Sequence, residues 1–223
     1  AFMSGPAALA ISKLVCPDTP DAISETAGST VQPADRQGVN IVDAAVIGAL
    51  QGLSLAASTA ASLIAFLGVL GFVNAVLSTL GGLIGWPALS FDGVIAYLFF
   101  LFAWFLGVPT VDCLTVGRLL GKKFFLNEFV AMIDLSTYIK NKLDMAEGRA
   151  PMGSLPVLHD RSVALATYAL WGFANAAGIG VLIAGLAAVV PTRKEEINRI
   201  AVRCMISGTL ASFLITTIAG MFI

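Results

Sequence analysis

Two polar spots set in long apolar stretches are where this sequence could do chemistry. Asn127-Glu128 has apolar runs of only a dozen residues or so on either side, and Asn175 sits at the middle of the uncharged stretch 162–192. A carboxylate at bilayer depth costs about 2.5 to 3.5 kcal/mol on insertion scales, so one retained there has a function to serve. Both spots fall at predicted interruptions of a helix, and an interrupted helix exposes unpaired N–H and C=O groups. Together with a carboxylate and side-chain amides, such groups bind a polar solute or a dehydrated cation. Plainer roles compete with this one. Asn175 is open to a reading as interhelical glue, worth about 0.6 kcal/mol on average, and Glu128 to one as a carboxylate neutralised by Lys122 or Lys123 or placed at the interface. Arg118 and Lys122 share a helix face at i,i+4 with Lys123 beside them, and these are read as snorkelling cations and not as ligands.

Covalent chemistry finds no residues. The one histidine, His159, lies in a polar segment where a surface position without a role is expected, so no Ser/His/Asp set can be placed in the apolar part. No GxxxxGK phosphate loop occurs. Cys16, Cys113 and Cys204 are far apart, without a CxxC, and are read as free buried thiols, giving neither a metal site nor a disulfide framework. A net charge of −1 offers no basic surface to a nucleic-acid polymer.

The elements that must position these residues follow from composition. The chain has 223 residues, 57 % hydrophobic and 12 % charged, where soluble domains carry about 25 % charged residues. No charge occurs in 44–91, 93–111, 162–192 or 204–223, and each stretch approaches or exceeds the roughly 20 residues a helix needs to cross about 30 Å of hydrocarbon. The expected fold is an all-α polytopic membrane protein.

Residues 1–16 read as the last half of a transmembrane helix, with Lys13 snorkelling; a chain opening inside a span is expected to be part of a longer one, with no signal peptide. Residues 17–42 are a polar loop. Residues 43–87 form a scaffold helix region whose part 43–85 is too long for one ordinary span, since 43 helical residues would reach about 65 Å. A short helix to Ser54 and a span near 60–80 are therefore expected, with LAASTAAS (55–62) as ordinary small-residue packing. The stretch 88–109 is short and aromatic, and periodicity leaves crossing and interfacial helix equally open.

Residues 110–140 suit a re-entrant hairpin, which requires that its irregular tip line a cavity or lie in protein. A solvated loop over 141–161 precedes 162–192, which would be about 46 Å long as a continuous helix; its glycines and Asn175 make a discontinuous helix the better reading. A charged turn and a final span complete 193–223. Arg193, Lys194, Arg199 and Arg203 place that turn in the cytoplasm by the positive-inside tendency, which puts the C-terminus outside.

The sequence also resembles a known family. GKKFFLNEFVAMIDLS (121–136) is similar to the G-x-K-x-x-x-N-E-F-V-A segment of the concentrative nucleoside transporters, and GFANAAGIGVLIAGL (172–186) to their GFAN helix, followed by PTRK in place of a Pro-Ser/Thr-Arg-Lys turn. FMSGPAALAISKLV (2–15) and IAFLGVLGFVNAVLS (64–78) resemble family segments too, so the likeness covers essentially the whole chain. It implies a homotrimer held by a scaffold helix near 60–80, an external interfacial helix at 89–106, and a second re-entrant hairpin at 110–140. It implies that Glu128 accepts hydrogen bonds from ribose hydroxyls, with Asn175 opposite, Phe173 against the nucleoside and Asn127 shaping the hairpin tip.

The chain departs from the family at three places. Gly178 stands where many members have a serine that contacts ribose, Met132 where a tyrosine follows NEFVA, and Leu101 where the external helix often has proline. The family's base-reading hairpin and sodium site lie upstream, so no metal site is expected in these residues and no cofactor beyond a coupling sodium ion or proton. The reading is a plasma-membrane, cation-coupled nucleoside symporter working by alternating access, with membrane lipid and its own copies as partners. A channel or pore subunit, and a membrane scaffold without transport, are the alternatives.

Overall fold

The structure is a computed structural model that describes residues 3–17, 39–85, 89–148, 155–189 and 193–223. Among them all regular structure is helical: α1 (Ser4–Val15), α2 (Ile41–Leu83), α3 (Phe91–Phe105), α4 (Cys113–Phe125), α5 (Glu128–Ala146), α6 (Asp160–Leu170), α7 (Gly178–Val189) and α8 (Lys194–Gly220). Most of the polar loop expected at 17–42, the Trp86-Pro87 helix end, part of the 141–161 loop and the Pro191-Thr192 turn lie outside the described residues.

The centre of the molecule is α3 to α6, whose buried residues include Phe99, Val116, Leu119, Leu120, Leu135 and Leu165. Two glycines four residues apart set the approach of α3 and α4. A Cβ on Gly117 would lie 2.8 Å from the carbonyl oxygen of Ala96, and one on Gly121 would lie 2.9 Å from Cβ of Ile95. Small residues at this spacing let helix backbones come close where no hydrophobic effect drives them together. Rings continue the contact to the end of α4, with Phe91 on Phe125 at 5.4 Å and Phe99 on Phe124 at 5.6 Å between centroids. Helix α8 packs on α1, α6 and α7, and among the described residues the main contacts of α2 are with α3 and α7.

Helix α2 corrects one expectation. It is one unbroken helix of 43 residues, with no division near Ser54. Length does not break a helix, and nothing else here does: the stretch has no proline, and its hydroxyls at Thr59 and Thr79 bond back to carbonyls one turn earlier. Its start is a reciprocal cap, Asn40 Oδ1 accepting from the Asp43 amide at 2.8 Å while Asp43 accepts from the Val39 amide at 2.9 Å. Helices α2 and α8 are long and apolar enough to cross a bilayer by length and composition. Helix α3 has 15 residues, about 22 Å, and runs without interruption through Leu101.

Within 141–161 the described residues depart from the expected loop. Helix α5 continues to Ala146, because Asn141 and Lys142 on its far end bond the carbonyls of Leu155 (3.2 Å) and Leu158 (3.0 Å) on the returning chain. His159 is exposed yet has a partner: its backbone N–H donates to Asp112 Oδ2 at 2.9 Å, its Nδ1 lies 2.9 Å from the same oxygen, and the Ser162 hydroxyl donates there as well. Asp112 thereby fastens the start of α4 to the start of α6. Arg161 holds the ends of two other helices, donating to the carbonyls of Gly107 (3.2 Å) and Gly220 (2.9 Å) and to that of Ile223. Gly107 itself closes α3 at φ +86°, a conformation that favours glycine.

Of the three free thiols only Cys113 is buried. Cys16 and Cys204 are exposed, since both open on a cavity beside α8.

Candidate functional site

Two helix breaks face each other. The first is Leu126-Asn127, between α4 and α5. Asn127 adopts the extended conformation of an N-cap and its Oδ1 accepts from the Val130 amide at 2.9 Å, the role for which Asn ranks among the best residues. Glu128 is then the first residue of α5, where the positive end of the helix dipole favours a carboxylate.

The second break, 171–177, separates α6 from α7 as the glycines and Asn175 led us to expect. Asn175 Oδ1 accepts from the Gly178 amide at 2.6 Å and so caps α7. With its oxygen committed to an N–H, its Nδ2 must face outward, and it donates to Glu128 Oε2 at 2.7 Å. The backbones meet as well, Ala176 N–H donating to the Phe124 carbonyl at 2.9 Å. The acid and the amide are both buried. Among the described residues the second carboxylate oxygen, Oε1, carries no hydrogen bond and is open to another donor.

All five residues expected at the site, Asn127, Glu128, Phe173, Asn175 and Gly178, line one small cavity of about 20 Å³, room for about one water. Phe173, Asn175 and Gly178 also border a neighbouring, mostly apolar cavity of about 420 Å³ between α7 and α8. Phe173 is 66 % exposed and free to lie against a ligand. Gly178 is close-packed: a Cβ there would stand 3.0 Å from Asn175 Oδ1.

The sequence did not point to four other residues lining the small cavity, Thr59, Phe129, Ala177 and Val181. Thr59 of α2 brings a hydroxyl to it; the signal was a group of hydroxyls among alanines, Ser58, Thr59 and Ser62, which LAASTAAS packing absorbed. Lys122 and Lys123 do not snorkel. Lys122 Nζ lies 2.8 Å from both Asp92 and Asp134, joining α3 to both arms of the hairpin-like pair α4 and α5, so it does not pair with Glu128. Lys123 is 1 % exposed and donates to the Ala169 carbonyl at 2.7 Å. Opposite charges and a helix-end carbonyl within the bundle hold both ammonium groups. Arg118 turns its Nε inward also, where it meets no hydrogen-bond partner among the described residues. Among those residues no group of three or more His, Cys, Asp or Glu side chains is placed to hold a metal.

Apposed helix breaks with polar side chains at their ends are the architecture of transporters built from discontinuous helices. The chain belongs to the concentrative nucleoside transporter family: the family model described as Na+ dependent nucleoside transporter C-terminus matches residues 1–220. It is 43 % identical over 221 residues to solute carrier family 28 member 3 of Eptatretus stoutii, covering 98 % of this chain and 32 % of that protein. It is 41 % identical over 220 residues to sodium/nucleoside cotransporter 1 of Rattus norvegicus, covering 98 % of this chain and 33 % of that one. Among solved structures, a CNTnw variant in its intermediate 2 state superposes with a TM-score of 0.81 at 32 % identity, over 100 % of this chain and 50 % of that chain. CNTnw in an inward-facing substrate-bound state gives 0.70 at 31 % identity over 87 % and 44 %. The chain thus spans about a third of the length of these curated relatives and at most half of these solved chains.

Proposed function

We propose that this chain supplies the ribose-gripping half of the substrate site in a cation-coupled nucleoside symporter of the plasma membrane. One observation carries the reading: Asn175 Nδ2 on Glu128 Oε2 at 2.7 Å, across two helix breaks and out of solvent. A carboxylate with one oxygen held by an amide and the other open is arranged to accept from a sugar hydroxyl. Asn175 fixes the acid, Asn127 fixes the turn that presents it, and Phe173 offers a ring face to the nucleoside. No covalent step is needed.

In this reading α4 and α5 form a re-entrant hairpin with its tip near mid-membrane, α3 lies at the outer interface, and α2 is the scaffold around which three copies assemble. The tip then moves between the two sides by alternating access. That CNTnw has been solved in intermediate and in inward-facing, substrate-bound states supports such a movement. The relative named a sodium/nucleoside cotransporter makes sodium the first coupling ion to test. The basic residues at the start of α8 put that end in the cytoplasm and the chain's last residues outside.

The test is uptake of labelled uridine by the full-length protein, wild type against Glu128→Gln, with sodium replaced by choline at two pH values. Glutamine keeps the volume and removes the charge, and hydrogen bonds to charged groups are worth about 1.5–3 kcal/mol, so uptake at low uridine falls at least about tenfold. Near-wild-type uptake by Glu128→Gln sinks the site, and uptake that never exceeds the outside concentration favours a pore.

A further inference from the structure

Buried lysines are costly in hydrocarbon, and Lys123 is among the most deeply buried large side chains of the chain. Its ammonium sits at the C-terminal end of α6, bonded to the Ala169 carbonyl at 2.7 Å, where the helix dipole and the unpaired last carbonyls favour a cation. The next residue, Phe124, accepts from the Ala176 amide through its backbone at 2.9 Å. Two consecutive residues of α4 therefore hold the second break at both of its ends, 169 and 176, and Asn175 lies between the two grips. The acid that Asn175 meets is only five positions further along the same chain segment. Room for the ammonium depends on Gly172, where a Cβ would come within 3.1 Å of Lys123 Nζ and 1.7 Å of Ser212 Oγ.

We propose that Lys123 is a positioning residue for the Glu128–Asn175 pair, clamping the end of α6 to α4 so that the amide meets the carboxylate before any substrate arrives. The inference rests on reading that pair as the nucleoside grip. It predicts that Lys123 and Glu128 act as one unit, and that the 171–178 segment loosens when the clamp is removed.

The experiment uses full-length protein in detergent and in proteoliposomes, carrying Lys123→Met, Glu128→Gln or both. Lys123→Met is expected to weaken uridine binding about tenfold, a coupling within the range measured for residues sharing one network, while the maximal uptake rate per inserted protein stays within about twofold of wild type. The double variant is expected to bind within about twofold of Glu128→Gln alone; losses that simply multiply overturn the proposal. Hydrogen exchange on the same samples gives a readout that needs no transport: amides of 171–178 exchange at least about tenfold faster in Lys123→Met while α2 is unchanged. Unchanged exchange in 171–178 overturns the clamp. If wild type binds no uridine, the nucleoside reading fails and exchange alone decides the role of Lys123. If wild type binds and Lys123→Met binds equally well, the clamp fails and the nucleoside reading stands. Should the methionine variant not accumulate, Lys123→Leu, which likewise offers no donor to Ala169, replaces it in the same cycle.

Discussion

A carboxylate with one oxygen occupied and one open makes a demand on its ligand that can be measured group by group. On the proposed reading, a nucleoside lacking the hydroxyl that bonds to Glu128 leaves a buried acceptor unpaired, which is penalised more heavily than a lost apolar contact. We expect 2′,3′-dideoxyuridine to compete with labelled uridine at least about tenfold more weakly than uridine does, on the scale of charge-assisted bonds of about 1.5–3 kcal/mol; equal competition removes ribose from the site. Gly178 makes a second demand. A Cβ there presses on Asn175 Oδ1 at 3.0 Å, so Gly178→Ala, which adds no polar group, is expected to weaken uridine affinity by about 1 kcal/mol with normal surface expression. Asn127, Glu128 and Asn175 were legible from sequence because a polar group in an apolar run has few reasons to be there, and because asparagine announces a helix start. Lys123 was not legible: a basic residue near a predicted helix end reads as snorkelling unless the carbonyl waiting for it can be seen, and Ala169 is 46 residues away.

At the scale of elements, breaks were easier to read than joins. The interruptions at 126–127 and 171–177 follow from local chemistry, N-caps and glycines, whereas the continuity of α2 and the extension of α5 to Ala146 depend on what is absent and on partners across the fold. The pairing of α3 with α4 had a signal that went unused, the small-xxx-small spacing of Gly117 and Gly121. Its energetic weight can be tested. Gly117→Ala places a methyl 2.8 Å from the Ala96 carbonyl and 2.9 Å from the Phe100 nitrogen, backbone atoms that have nowhere to go, so overpacking of about 1–3 kcal/mol should appear as a lower melting temperature in detergent. Gly172→Ala should behave differently: its clash is with the Ser212 side chain, so adding Ser212→Gly recovers much of the lost stability, and failure of that rescue means the break at 171–177 is placed differently.

For the whole molecule, α2 is the element that the rest of this chain hardly touches. Ile64, Phe72 and Leu80 are exposed along it, and the long apolar surface requires lipid or another copy. We expect Phe72→Cys, in full-length protein whose native cysteines are replaced, to give dimers with a short bifunctional thiol crosslinker in membranes and trimers with a trifunctional one; recovery of monomers alone argues against assembly through α2. The all-helical class was legible from composition, but not which helices share a core, since 57 % hydrophobic residues leave little contrast between faces that meet protein and faces that meet lipid. The α3 and α4 contact settles one such question. With the Ala96 carbonyl seated in the notch at Gly117 and Lys122 joined to Asp92, the two helices have no slack between them. On the proposed placement of α3 at the membrane surface, a displacement of that helix is expected to carry the turn at Asn127 and Glu128 with it, as along a solid lever.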